Sequence, residues 1–172
     1  MREAPVSGIS AHAVVEAIHI VTEKRGNPKP MSEVTAIAGI GLEWDRYAAA
    51  TGSYSNWPGN HALTLIEAEG LEFLRDHCGF DLTAGRHRRN ITTRGIRLNK
   101  LVGKQFRVGS VLCEGYELAH PCAHLEWLTN KPGLVKQMMG RGGLRARILE
   151  GGLIQVGNEI VPEPTGQMDL FE

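Results

Sequence analysis

Glycine is the residue type that most constrains what this chain can fold into. Twenty-one of its 172 residues are glycine, and they separate short runs of β-branched and aliphatic side chains rather than interrupting long periodic ones. Glycine reaches the left-handed backbone region without penalty, so such a chain turns often and sharply. Short apolar runs closed by turns of this kind read as strands. Residues 14–22 form one such run and stop at Lys24-Arg25-Gly26-Asn27-Pro28; residues 34–37 form a second and stop at Gly39-Ile40-Gly41. Residues 62–66 read as a buried strand, and 91–93 as another ending near Gly95. Residues 105–108 turn through Gly109-Ser110 into 111–118, a hairpin. The runs 145–149, 153–156 and 159–161 complete the set. Helical spacing is confined to 67–77, 123–129 and 134–139. The pattern predicts about eight strands and two or three short helices without a βαβ rhythm. The expected fold is mainly β, mostly antiparallel and barrel-like or sandwich-like, with inserted helices.

One domain suits this length. The boundaries expected from composition are a flexible N-terminus over 1–13, a folded domain over 14–161 and a loose tail over 162–172. Nineteen basic and nineteen acidic residues cancel, so no bulk field draws the chain to nucleic acid. No apolar run has the length of a membrane span. The first residues lack the apolar core of a secretory signal. Three cysteines, Cys78, Cys113 and Cys122, form no disulfide framework. Reduced thiols in a cytoplasm are the expectation.

Four clusters carry chemistry. The first is Ala119-His120-Pro121-Cys122-Ala123-His124, where a strand gives way to a helix. A thiol at a helix start, between two histidines and stiffened by proline, is placed to ionise and to face outward. The same residues also read as a small buried hydrophobe with polar neighbours, as most free cysteines are, or, with less support, as three zinc ligands, since closed zinc sites need four. Cys113 falls inside an apolar strand and Cys78 follows a helix, so both read as structural. The second cluster is Arg86-His87-Arg88-Arg89-Asn90, a phosphate grip or a solvated charged loop. The third is Arg141-Gly142-Gly143-Leu144-Arg145-Ala146-Arg147, whose glycines allow backbone to approach an anion or simply make a turn. The fourth is Gly39-Ile40-Gly41-Leu42-Glu43-Trp44-Asp45-Arg46-Tyr47, acid beside base after a Gly loop, which a loop salt bridge also explains. It opens a long polar and aromatic segment, 43–61, which is placed to lie over a pocket.

Taken in order, these pieces resemble the MOSC domain, the module named for the C-terminal part of molybdenum cofactor sulfurases. The matching residues are Gly41 to Arg46, then Leu63-Thr64-Leu65-Ile66-Glu67-Ala68-Glu69, then Arg88-Arg89-Asn90-Ile91. They continue with 98–103, Phe106 and Gly109, then Pro121-Cys122 with Leu125, and end with Gly142 to Ala146 and Gly152 to Gly157. The resemblance implies a MOSC-type β-barrel-like fold and an association with the molybdenum cofactor, a molybdopterin. It implies that Cys122 carries sulfur as a persulfide or ligates molybdenum. It places Arg88 and Asn90 where relatives hold the pterin phosphate, and His120 along the same pocket. Arg89, Gly142, Gly143, Arg145, Asp45 and Arg46 complete the candidate cofactor-binding set. Trp44-Asp45 and Gly157-Asn158 stand where the family often has Gly-Asp.

No iron–sulfur, flavin or aminotransferase-like module is legible. The expectation is therefore a stand-alone domain independent of pyridoxal phosphate, needing an electron-transfer or sulfur-donor protein as partner. The resemblance leaves open a sulfurtransferase-like role, a component of a molybdenum-dependent reductase of N-hydroxylated compounds, and delivery of cofactor or sulfur without turnover. The residues alone also allow a cofactor-free thiol enzyme using Cys122 with His120 or His124.

Overall fold

The computed structural model describes residues 12–49 and 63–164. Most of the segments expected to be flexible, 1–11 and 165–172, lie outside the described residues, as does 50–62 of the long segment. Strands and short helices alternate as β1 (Val14–Ile20), β2 (Lys29–Met31), β3 (Glu33–Ile37), β4 (Gly41–Leu42), β5 (Leu63–Glu67), α1 (Ala68–Cys78) and β6 (Ile91–Arg94). A 3-10 turn at Leu98–Leu101 follows. Then come β7 (Gln105–Val108), β8 (Val111–Leu118), α2 (Ala123–Thr129), α3 (Leu134–Met138), β9 (Leu144–Glu150), β10 (Gly152–Gln155) and β11 (Ile160–Pro162).

The protein is mainly β with a few short helices, and its pairing is mainly antiparallel. An eight-stranded sheet runs β11-β7-β8-β9-β5-β6-β1-β2, and a small sheet runs β10-β3-β4. The large sheet is not closed into a barrel. Its β11 edge nevertheless approaches the start of β1: the Val15 N–H donates to the Asn158 carbonyl at 2.9 Å, and the Ile160 N–H to the Ala13 carbonyl at 2.8 Å. Residues 13–15 are thus tied to Asn158 and to the first residue of β11.

One pairing departs from the sequence expectation. β5 and β6 are parallel, with α1 as their crossover, so the fold contains one βαβ unit. The unit is hard to read because residues 79–90, a long irregular stretch, separate the helix from its second strand. Gly79, left-handed at φ 73°, ends α1 and donates its N–H to the Leu74 carbonyl.

Two apolar clusters follow from this layout. The main core fills the space between the two sheets with Ile18, Leu42, Leu65, Ile91, Phe106, Val108, Leu144 and Ile154 among others. A second cluster, Ile66, Leu74, Leu82, Leu125, Leu134 and Met138, joins the three helices to β5. Burying side chains of this size stabilises by about 1.5–3 kcal/mol each. Leu125 therefore fixes α2 against the sheet and, with it, Cys122 at the start of α2. Among the described residues, no helix is long and apolar enough to cross a membrane.

Candidate functional site

β8 ends at Leu118, and the chain then passes beside β9 before turning into α2. Three contacts hold this passage. The Ala119 N–H donates to the Gly143 carbonyl at 2.8 Å. The Arg89 guanidinium donates through Nε to the Gly142 carbonyl at 2.9 Å and through Nη2 to the Ala119 carbonyl at 3.3 Å. Gly142 and Gly143 make the approach possible. A Cβ on Gly142 would sit 2.0 Å from the Ala119 oxygen, and one on Gly143, at φ 97°, would sit 1.9 Å from the Leu65 oxygen. Backbone carbonyls thus occupy the space beside both glycines. Pro121 is buried, and Cys122 emerges exposed as the N-cap residue of α2.

Cys122 opens on a cleft of about 620 Å³, its mouth included, lined by Arg46, Tyr47, Thr64, Arg88, Arg89, His120, Cys122, His124, Leu125, Leu128 and Arg145. Residues from five separate segments of the chain converge there. Of the candidate site residues, the structure brings Cys122, Arg88, Arg89, His120, Arg145 and Arg46 to this one cleft. It places Asn90, Asp45, Gly142 and Gly143 immediately behind its wall.

Asn90 and Asp45 are buried, at 5% and 2% exposure, and their polar atoms are engaged with the fold. Asn90 Oδ1 accepts from the Thr64 N–H at 3.2 Å and the Thr64 hydroxyl at 3.0 Å. Asn90 Nδ2 donates to the His19 carbonyl at 3.2 Å and to Asp45 Oδ1 at 3.4 Å. Asp45 accepts further from the Val21 N–H at 3.0 Å and the Tyr47 N–H at 3.1 Å. Asn90 therefore ties β1, β5, β6 and the Asp45 loop together behind Thr64. Trp44, left-handed at φ 68° and 71% exposed, turns the chain so that Arg46 points inward to 6% exposure. The Arg46 guanidinium lies over the Tyr47 ring, 4.4 Å from its centroid.

Charge in the cleft is strongly one-signed. Burial lowers the Arg88 pKa from its ordinary value, and Arg46 nearby lowers it further. Burial and then Arg145 push Arg89 down to about 10. Cys122 and Tyr47 act the other way on Arg89, so the thiol lies within the field of that guanidinium. The His124 pKa is lowered by burial first and then by Arg25, Arg88, Lys24 and Arg46. Arg88, left-handed at φ 66°, also donates to the Gly26 carbonyl.

Two of the sequence clusters divide on folding. In the second cluster His87 turns inward at 2% exposure. Its Nδ1 accepts the Arg89 N–H at 3.0 Å, and burial drives its pKa down to about 3. In the third, Arg145 reaches the cleft, whereas Arg141 lies over Phe73 and Arg147 over Tyr116. For the zinc reading, no three His, Cys, Asp or Glu side chains among the described residues are arranged to hold a metal ion. The helix that starts at Ala123 breaks the alternation that His120, Cys122 and His124 would need. Leu128 is a cleft residue that sequence reasoning did not name, and Tyr47, Thr64 and Leu125 were named only within clusters or matching runs, with no role in the site. Thr64 was within reach of such reasoning, as a polar residue in an otherwise apolar strand.

The family model of the MOSC domain matches residues 46–161. The YuaD protein of Bacillus subtilis superposes with a TM-score of 0.73 at 16% identity, covering 89% of this chain and 97% of that one. YiiM of Geobacillus stearothermophilus gives 0.69 at 18% identity, covering 91% and 77%. YiiM of Escherichia coli gives 0.63 at 17%, covering 88% and 70%. No curated protein matches. At these identities the solved structures establish a shared fold.

Proposed function

The chain belongs to the MOSC domain family, and from that premise we propose that its cleft binds the molybdenum cofactor, with Cys122 as the soft ligand or sulfur carrier and the arginines as the phosphate anchor. The observation that carries this reading is the meeting of one exposed thiol with four guanidinium groups, Arg46, Arg88, Arg89 and Arg145, in a single cleft.

The residues fit the group. A cysteine sulfur is a soft donor suited to molybdenum or to sulfane sulfur. Guanidinium forks match phosphate oxygens. Burial and mutual repulsion lower the Arg88 and Arg89 pKa values, and a bound anion relieves that repulsion. When bound, the cofactor supplies redox chemistry or a sulfur-accepting centre. The chain supplies the rest. Arg88, Arg46 and Arg145 bind the anionic end. Arg89 is a positioning residue, because its guanidinium fixes the backbone on either side of the Cys122 approach. Asn90 positions Thr64 and Asp45 in the same way. His124 lines the cleft with the thiol, and burial and the surrounding cations hold its pKa below the ordinary histidine value. Leu125 and Leu128 exclude water from one side.

Exposure of Cys122 also favours a second reading, hand-over of sulfur or cofactor to a partner protein without turnover. Purification from a cofactor-competent host tests the binding claim that both readings share. Wild type should carry pterin, and Arg46→Gln with Arg88→Gln should lose it. Equal pterin in both proteins contradicts the anchor. The delivery reading further predicts bound cofactor but no reduction of an N-hydroxylated compound with any added electron donor.

A further inference from the structure

A second groove of about 680 Å³, its opening included, adjoins the Cys122 cleft and shares Arg88 and Leu128 with it. It is lined by Arg25, Gly26, Asn27, Pro28, Arg86, Arg88, Leu128, Thr129 and Lys131. Three segments build it: the β1–β2 turn, the chain before β6 and the end of α2. Four cations face it, and no carboxylate lines it.

The charge of this groove is unusual for the chain. Most described arginines outside it have carboxylate partners, among them Arg75 with Asp76, Arg94 with Glu16 and Glu72, Arg107 with Glu163 and Arg145 with Glu117. Among the described residues, Arg25, Arg86, Arg88 and Lys131 make no ion pair. The carboxylate that Arg86 and Lys131 feel is Asp81, which is turned to the Thr83 N–H at 2.9 Å. Arg25 is fixed over the Trp127 ring, 5.3 Å from its centroid. Arg88 is fixed by the Gly26 carbonyl. A neutral chain that pairs most of its described arginines elsewhere leaves these cations together, partly held in place, along one groove. Concentrated positive charge in a concave site attracts and orients anions.

We propose that this groove is a second anion subsite, taking a phosphate or diphosphate group of the molecule whose other end occupies the Cys122 cleft. The inference rests on the reading that the cleft binds a ligand at Cys122. It adds that a ligand, cofactor or substrate, extends past Arg88 and carries a phosphate there. The two sources share one chemistry. A nucleotide-bearing form of the pterin would place its second phosphate in the groove. A phosphorylated substrate would do so on protein already loaded with cofactor.

The test is calorimetric titration of the full chain, from a host that makes no pterin cofactor, with inorganic pyrophosphate. Wild type should bind, and R25Q/R86Q/K131Q should bind roughly tenfold or more weakly, since three charges facing the anion are removed. Arg86→Glu alone should weaken binding in the same direction. Pterin content of wild type from a cofactor-competent host separates failure of this inference from failure of the cofactor reading, because pyrophosphate binding does not need the pterin. Absence of binding by folded wild type, or equal binding by the triple variant, overturns the subsite. Loss of pyrophosphate binding in Arg46→Gln but not in the triple variant also overturns it, because the anion would then sit in the main cleft. Analysis of the bound pterin assigns the source. A nucleotide-bearing pterin that is depleted in the triple variant identifies the cofactor. Undiminished bound pterin with weakened pyrophosphate binding identifies the substrate.

Discussion

Asn90 was expected from sequence to anchor a ligand, whereas the structure surrounds it with backbone and side-chain partners, and Asn90→Ala separates the two roles. Truncation removes both acceptor contacts to Thr64 and both donor contacts, to His19 and Asp45. Asp45 keeps the Val21 and Tyr47 amides. The Thr64 hydroxyl can turn to another partner, but the buried Thr64 N–H loses its side-chain acceptor. Each net hydrogen bond is worth about 0.5–1.5 kcal/mol, and an orphaned buried donor costs about 1–3 kcal/mol. The sum is roughly 3–5 kcal/mol, a large part of the about 5–15 kcal/mol that keeps a domain folded. Urea unfolding should show a lower midpoint with an unchanged slope, and the melting temperature should fall by roughly 10 °C for a chain this long. A change below about 1 kcal/mol, accompanied by weaker ligand binding, would refute the reasoning and return Asn90 to the ligand.

Other perturbations read other parts of the account. Gly143→Ala places a Cβ 1.9 Å from a backbone oxygen at φ 97°, so it should cost about 4 kcal/mol or more or prevent folding; near-wild-type urea stability would contradict the packing. Alkylation at pH 8 should label Cys122, which is exposed, and spare Cys113, which is buried with its pKa pushed up to about 12; mass mapping before and after unfolding checks this. His87 is held at about 3, below its unfolded value of about 6.5. The unfolded chain therefore takes a proton first as pH falls, and stability present above pH 6.5 should decline by roughly 1.4 kcal/mol per pH unit down to pH 3. His87→Gln should flatten that decline, and parallel urea midpoints for the two proteins would show that another group is responsible.

How much was legible in the sequence depended on whether the signal was local. The strands 105–108 and 111–118 and helix 123–129 match the structure because turn residues bound them on both sides. β2 and β4 escaped because Lys29–Met31 contains a proline and Gly41–Leu42 is two residues long; partners across the sheet, not propensity, make them strands. Cys122, Arg88 and Arg145 were legible as chemistry. Whether a neighbour faced the cleft was not, because adjacent residues diverge: Arg89 turns to two carbonyls and Asn90 to Thr64, while Arg88 lines both grooves. The role of Arg25 was hidden in what read as an ordinary turn, since its partner Trp127 lies far along the chain.

The central claim is that one cleft joins a soft sulfur to a phosphate anchor. Molybdenum and pterin content per chain, measured side by side for wild type and Cys122→Ala from a cofactor-competent host, tests it most directly. The account predicts both components in wild type. In the variant it predicts either lost molybdenum, if Cys122 is the ligand, or retained cofactor with no transferable sulfur, if Cys122 is the carrier. Wild-type protein free of both components, with no binding of added cofactor, would contradict it.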